Sequence, residues 1–125
     1  MAERVIPGTV RTGFVTAGGY AYKLRRVLFA QLKSLVQTGQ LDSEEVAKAA
    51  GVINALLYEV IVERMGLKKT DVVRVTVNYR LRDRTLEWDM ESLQLELYRR
   101  VDAEEVRSAL AEARRSVEES ASQRT

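Results

Sequence analysis

The chain contains no cysteine and no histidine. Their absence removes thiol nucleophiles, disulfides, imidazole general bases and the usual zinc ligands. An enzyme made from this sequence would have to run on carboxylates, lysine, tyrosine or serine. No carboxylate cluster is suited to that work. Glu87, Asp89 and Glu91 alternate along a strand with about 7 Å between them, and no further metal ligands accompany them. The sequence therefore points to a binding protein with no metal and no cofactor, and not to an enzyme. No apolar run approaches the roughly 18–20 residues that span a bilayer. Met1 to Gly8 lacks the basic-then-apolar layout of a signal peptide. A cytoplasmic protein without a membrane partner is the expectation. At 125 residues, 46% of them hydrophobic, the chain fits one domain with a real core.

The net charge of +2 hides an uneven distribution. Residues 1–41 carry a balance of +5, residues 42–63 of −4, residues 64–84 of +5 and residues 85–125 of −4. Two basic segments that meet in space suit a polyanionic partner. The alternative is that they pair with the acidic blocks as solvated salt bridges. Arginine outnumbers lysine by 15 to 5, which with the missing cysteine fits a protein from a hot habitat.

Hydrophobic periodicity orders the elements as β-α-α-β-β-α. Thr9–Thr16 reads as a strand with a bulge at Gly13, and Gly18-Gly19 ends it. A helix follows from about Tyr20 to Val36, its apolar stripe running through Leu24, Leu28 and Leu32 to a C-cap at Gly39. Ser43 opens a second helix that ends near Met65 and closes at Gly66; its internal Gly51 suggests a close helix contact. From Asp71 to Leu81, Val73, Val75, Val77, Tyr79 and Leu81 take one face, and Arg74, Thr76, Asn78, Arg80 and Arg82 the other. A turn at Asp83-Arg84 places Tyr79 opposite Trp88, Arg80 opposite Glu87 and Asn78 opposite Asp89. The apolar phase of the return strand then slips by one, implying a bulge near Ser92 or a new strand. From about Asp102, Ala103, Val106, Leu110, Ala113 and Val117 form a short heptad seam that needs a partner, within its own domain or on a second subunit. The fold class expected is α+β, a small antiparallel sheet packed on two long helices. Residues 1–101 would form the domain, 102–119 an assembly helix for a homo-oligomer, and 120–125 a flexible tail.

Three constellations could carry function. Around Gly18-Gly19 the strand-to-helix junction offers backbone N–H groups to an anion, and Tyr22, Arg26 and Phe29 share a helical face beside Lys23 and Arg25. Interleaved rings and cations are what single-strand binding needs, since rings stack bases and cations hold phosphates. Equally, the glycines could serve only the turn and the rings only the core. The hairpin arginines Arg74, Arg80 and Arg82 could track a backbone or pair across strands. Trp88 with Tyr79 could be a core pair or a stacking pair.

The stretch T-G-F-V-T-A-G-G-Y-A-Y-K-L-R-R-V-L-F-A-Q, the apolar helix after it and the V-R-V-T-V-N-Y-R hairpin resemble the archaeal ThermoDBP-related single-stranded DNA-binding proteins over residues 9–100. The resemblance implies a small antiparallel sheet with helices, single-stranded DNA held in a basic cleft with aromatic contacts, and oligomerisation. It carries over to Phe14, Tyr20, Tyr22, Lys23, Arg25 and Arg26, and to the hairpin arginines. The resulting expectation is sequence-tolerant binding of single-stranded DNA in one cleft made by the first strand, the first helix and the hairpin. Arg11, Lys23, Arg25, Arg26, Arg74 and Arg82 would neutralise phosphates there, Phe14, Tyr22 and Trp88 would stack bases, and Tyr20 and Arg80 would also belong to the nucleic-acid-binding surface. RNA on the same surface and a protein–protein assembly module are the alternatives.

Overall fold

Residues 4–123 are described by the computed structural model. The elements follow the expected order: β1 (Val5–Thr16), α1 (Tyr20–Gln37), α2 (Ser43–Tyr58), β2 (Val72–Arg82), β3 (Thr85–Tyr98) and α3 (Ala103–Gln123). After Tyr58 helix α2 widens into a π-helical segment, Glu59–Arg64, before Gly66 turns the chain at φ +65°. At the end of α1 the Gly39 amide donates to Val36 O and the Gln40 amide to Leu35 O. These are the paired bonds of a Schellman motif, with Gly39 at φ +78° as expected for its cap. Helix α3 continues past the boundary expected at 119, and residues 124 and 125 of the expected tail lie outside the described residues.

The sheet is antiparallel with strand order β1-β2-β3. Its apolar face (Val10, Val73, Val75, Val77, Tyr79, Leu81 and Leu86) is buried against Leu24, Leu28 and Leu32 of α1 and Val46, Ile53 and Leu57 of α2. Polar bonds fix the two layers in place. Gln31 Nε2 donates to Thr9 O, which ties α1 over β1, and the Trp88 indole donates to Ala49 O, which ties β3 under α2. Gly51 has nothing within 4 Å of where a Cβ would sit, so the close helix contact expected for it is absent.

Both expected bulges are present. Thr12 and Gly13 together oppose Val75, with Gly13 at φ +66°. On β3 the register jumps by three between Asn78↔Asp89 and Thr76↔Gln94, where a single-residue slip is expected from the sequence. Three and one are both odd, so the face flips as the apolar phase requires. Ser92 closes the gap, its hydroxyl accepting from the Asn78 amide and donating to Asp89 O.

Gly8 lies opposite Tyr79, and a Cβ there would come within 2.2 Å of the tyrosine ring. That ring cannot easily move away. Its hydroxyl donates to Gln31 Oε1 at 3.0 Å, and its edge packs on Trp88 at 6.0 Å between centroids. Gly8→Ala is therefore expected to cost about 1–3 kcal/mol of stability by overpacking, read from chemical denaturation. An unchanged midpoint would show that the ring swings clear.

Asp71 joins three chain segments. Its carboxylate accepts from the Lys68 and Arg100 amides, each at 2.8 Å, and its carbonyl accepts from the Ala17 amide. The Arg100 and Lys68 amides hold its carboxyl below the ordinary carboxylate range. The folded value is depressed, so this contribution is present above the unfolded value near 3.8. It is lost as pH falls through the lower folded value. Acid melts of wild type and Asp71→Asn should therefore converge below about pH 4 and separate above it. Parallel curves across that window would remove the carboxylate's role.

Candidate nucleic-acid interface

Helix α1 has an apolar stripe that faces the core and an outer face with a different chemistry. Its sequence contains Lys23, Arg25, Arg26 and Lys33 and no acidic residue. Tyr22, Arg25, Arg26 and Phe29 line an open cleft of about 250 Å³. Tyr22 is 70% exposed, and the Arg25 guanidinium lies over the Phe29 ring, 5.1 Å from its centroid. Among the described residues no carboxylate pairs with Arg25 or Arg26. The surface thus combines unspent cations with an exposed ring. The amides of Gly18 and Gly19 contribute less than expected, because they donate to Lys69 O and Thr16 O.

The outer face of the sheet is organised differently. Phe14 lies opposite Arg74, whose guanidinium sits 4.5 Å from the Phe14 ring centroid. Tyr98 packs edge-on against Phe14 at 5.7 Å. The Glu96 carboxylate accepts from Arg74 at 2.6 Å and from the Tyr98 hydroxyl at 2.7 Å. Hydrogen bonds from Arg74, then from Tyr98, hold the Glu96 carboxyl below its usual range; the same bond to Glu96 raises Tyr98. Arg11 and Arg80 are exposed on this face. Arg80 stands opposite Glu87 as the register requires, yet Glu87 makes its ion pair with Arg82, at 3.6 Å.

The single cleft expected from the sequence does not form within one chain. Tyr22, Lys23, Arg25 and Arg26 belong to the helix layer, while Arg11, Phe14, Arg74, Arg80 and Arg82 point away from it, on the far side of the sheet. The core lies between the two groups. Two further expectations are corrected. Tyr20 is buried, its hydroxyl donating to Asn54 O, because it begins the helical stripe that contains Leu24 and Leu28. Trp88 is half-buried on the inner face, its ring edge-on to Tyr79 and its N–H committed to Ala49 O. Tyr20 has no face open to a base, and Trp88 is held by the core at its edge and its N–H. Glu96 and Tyr98 were not singled out from the sequence. Carrying the strand alternation through the odd bulge would have put both on the outer face. Among the described residues no three acidic side chains come together to hold a metal.

Residues 10–87 match the family described as ThermoDBP-related, archaea. Among solved structures, apeThermo-DBP-RP2 bound to ssDNA dT10 is 41% identical with a TM-score of 0.78, covering 91% of this chain and 52% of that one. This chain thus spans about half the length of that DNA-bound relative. The structure of pfuThermo-DBP-RP1 is 38% identical with a TM-score of 0.67, covering 93% of this chain and 77% of that one. A structure of ThermoDBP, described as a single-stranded DNA binding protein, covers 81% of this chain and 99% of its own at a TM-score of 0.55. At 15% identity it shows likeness of fold alone. No curated protein matches the chain significantly.

Proposed function

The chain belongs to the ThermoDBP-related family of archaea, and from that premise we propose that it binds single-stranded DNA, sequence-tolerantly and without catalysis, through the outer face of α1. The observation that carries this reading is the cleft of Tyr22, Arg25, Arg26 and Phe29, with guanidinium groups not spent on carboxylates. Arg25, Arg26 and the neighbouring Lys23 hold phosphates, and Tyr22 stacks a base. The DNA-bound relative supports the choice of ligand. RNA offers the same bases and phosphates, so the ratio of affinities for matched oligonucleotides decides between the two.

The test is anisotropy of a labelled oligo-dT against duplex DNA and the matching RNA over a salt series. Three neutralised phosphates on a single strand give a log–log salt slope near −2, at about −0.7 per phosphate. Binding that ignores salt, or that prefers duplex, would sink the proposal.

A specific observation favours assembly as well. Every described residue of α3 is exposed, so its apolar positions cover nothing among the described residues. Val101, Val106, Ala109, Leu110 and Ala113 line an apolar groove of about 400 Å³ along it. The proposed partner of this seam is a second copy, which makes the protein a homo-oligomer.

A further inference from the structure

Both bulges have the same consequence. Inner-facing positions of β1 are Val10 and Thr12, so strict alternation would turn Phe14 inward. The extra residue at Thr12–Gly13 reverses the phase and puts Phe14 on the open face, 61% exposed, while Val15 takes the inner position. On β3, Leu86 and Trp88 face inward, and continued alternation would turn Glu96 and Tyr98 inward with them. The insertion around Ser92 sends them outward, leaving Tyr98 46% exposed. Bulges re-aim side chains where a site needs them. Here two independent bulges, on the two edge strands, bring an exposed phenylalanine and an exposed tyrosine together across β2, with Arg74 between them. No described element covers this face of the sheet.

The charge balance here differs from that on α1. Arg74 is neutralised by Glu96 and Arg82 by Glu87, and Asp89 stands on the same face. Arg11 and Arg80 lie on this face too. The guanidinium between the rings is paired, however, so at that point the surface attracts phosphate weakly while its rings and guanidinium plane remain available to a flat partner. Resting on the single-strand reading above, we infer that Phe14, Arg74 and Tyr98 form a separate nucleobase site on the open sheet face, shaped by Glu96 and working by stacking, not by charge neutralisation. Glu96 is a positioning residue in this site. One carboxylate holds the guanidinium over Phe14 and, through the Tyr98 hydroxyl, holds the second ring edge-on to it.

Glu96 as a brace has the opposite effect on binding from the one its charge alone would have. Removing an acid from a surface that meets DNA should tighten binding; removing a brace should weaken it. The experiment measures dT20 with one 2-aminopurine substitution, by anisotropy and by quenching across a salt series. Phe14→Ala is expected to weaken binding by about 5- to 150-fold, the loss of one stacked base, with the salt slope unchanged. Glu96→Ala is expected to weaken it as well, despite the added positive charge, and Glu96→Gln, which keeps one acceptor oxygen, to recover part of the loss. Thermal melts accompany each variant. If Phe14→Ala melts early, Phe14→Leu keeps the apolar volume while removing the ring and should show the same loss. Tighter binding with a steeper slope in Glu96→Ala would overturn the inference, as would unchanged affinity and quenching in the Phe14 variants. Both results leave the α1 reading intact. Wild-type protein that binds no single strand at low salt overturns the reading and the inference together.

Discussion

Replacing Tyr22, Arg25 and Arg26 together with alanine is expected to remove most of the affinity for oligo-dT and to make the salt slope shallower by about 1.4. The slope change is two phosphate contacts at roughly 0.7 each. Losing the Tyr22 stack adds about 1–3 kcal/mol, or roughly 5- to 150-fold in affinity. The domain should stay folded, because the cleft is open, Tyr22 is largely exposed, and alanine is the best helix former available for those positions. Anisotropy over a salt series separates the two parts. The arginines move the slope, and the tyrosine moves the intercept. Unchanged affinity and slope in a variant that still melts cooperatively would show that the strand lies elsewhere.

The second large effect is expected from Leu110→Asp. Helix α3 is 21 residues long and none of it is buried. Its ion pairs, Arg107–Glu104 at 3.1 Å and Arg114–Glu118 at 3.0 Å, each contribute only about 0.2–0.5 kcal/mol at helical spacing. Most helical stability in proteins comes from packing an amphipathic face, so α3 needs apolar burial that its own domain does not supply. Leu110, 64% exposed within one chain, sits at the middle of the seam. Burying one leucine side chain contributes about 1.5–3 kcal/mol, and a symmetric dimer loses it twice. The dissociation constant should therefore rise by roughly 100- to 10,000-fold, with loss of helical signal as α3 frays. Sedimentation and far-ultraviolet circular dichroism over a dilution series measure both. A wild-type chain that stays monomeric with full helicity would defeat the assembly reading.

Much of the fold was legible because it rests on local periodicity. The Leu24–Leu28–Leu32 stripe, the alternation from Val73 to Leu81 and the Asp83-Arg84 turn each follow from neighbours in the chain. The hairpin register accordingly agrees residue for residue at Tyr79↔Trp88, Arg80↔Glu87 and Asn78↔Asp89. Asp83 makes the turn at φ +55°, a left-handed conformation that aspartate tolerates better than most residues, so the missing glycine was no obstacle. Bulges were legible as phase slips but not in length, since one extra residue and three flip the face alike.

The candidate site was legible in its members and not in its grouping. Sequence spacing alone shows that Tyr22, Arg26 and Phe29 share a face of α1, and that Arg74, Arg80 and Arg82 share a face of β2. Whether those faces meet is a tertiary matter. In a two-layer domain the apolar face of the sheet and the apolar stripe of the helix must meet, so their polar faces point apart. That rule divides one expected cleft into two surfaces. It also takes Tyr20 and Trp88 out of the site, because each lies on the side that the layers close over. The remaining question was whether α3 covers the outer face of the sheet, and its seam is equally suited to packing there or on another copy. Only the tertiary structure shows α3 standing clear, which leaves Phe14 and Tyr98 in the open and the seam unpartnered.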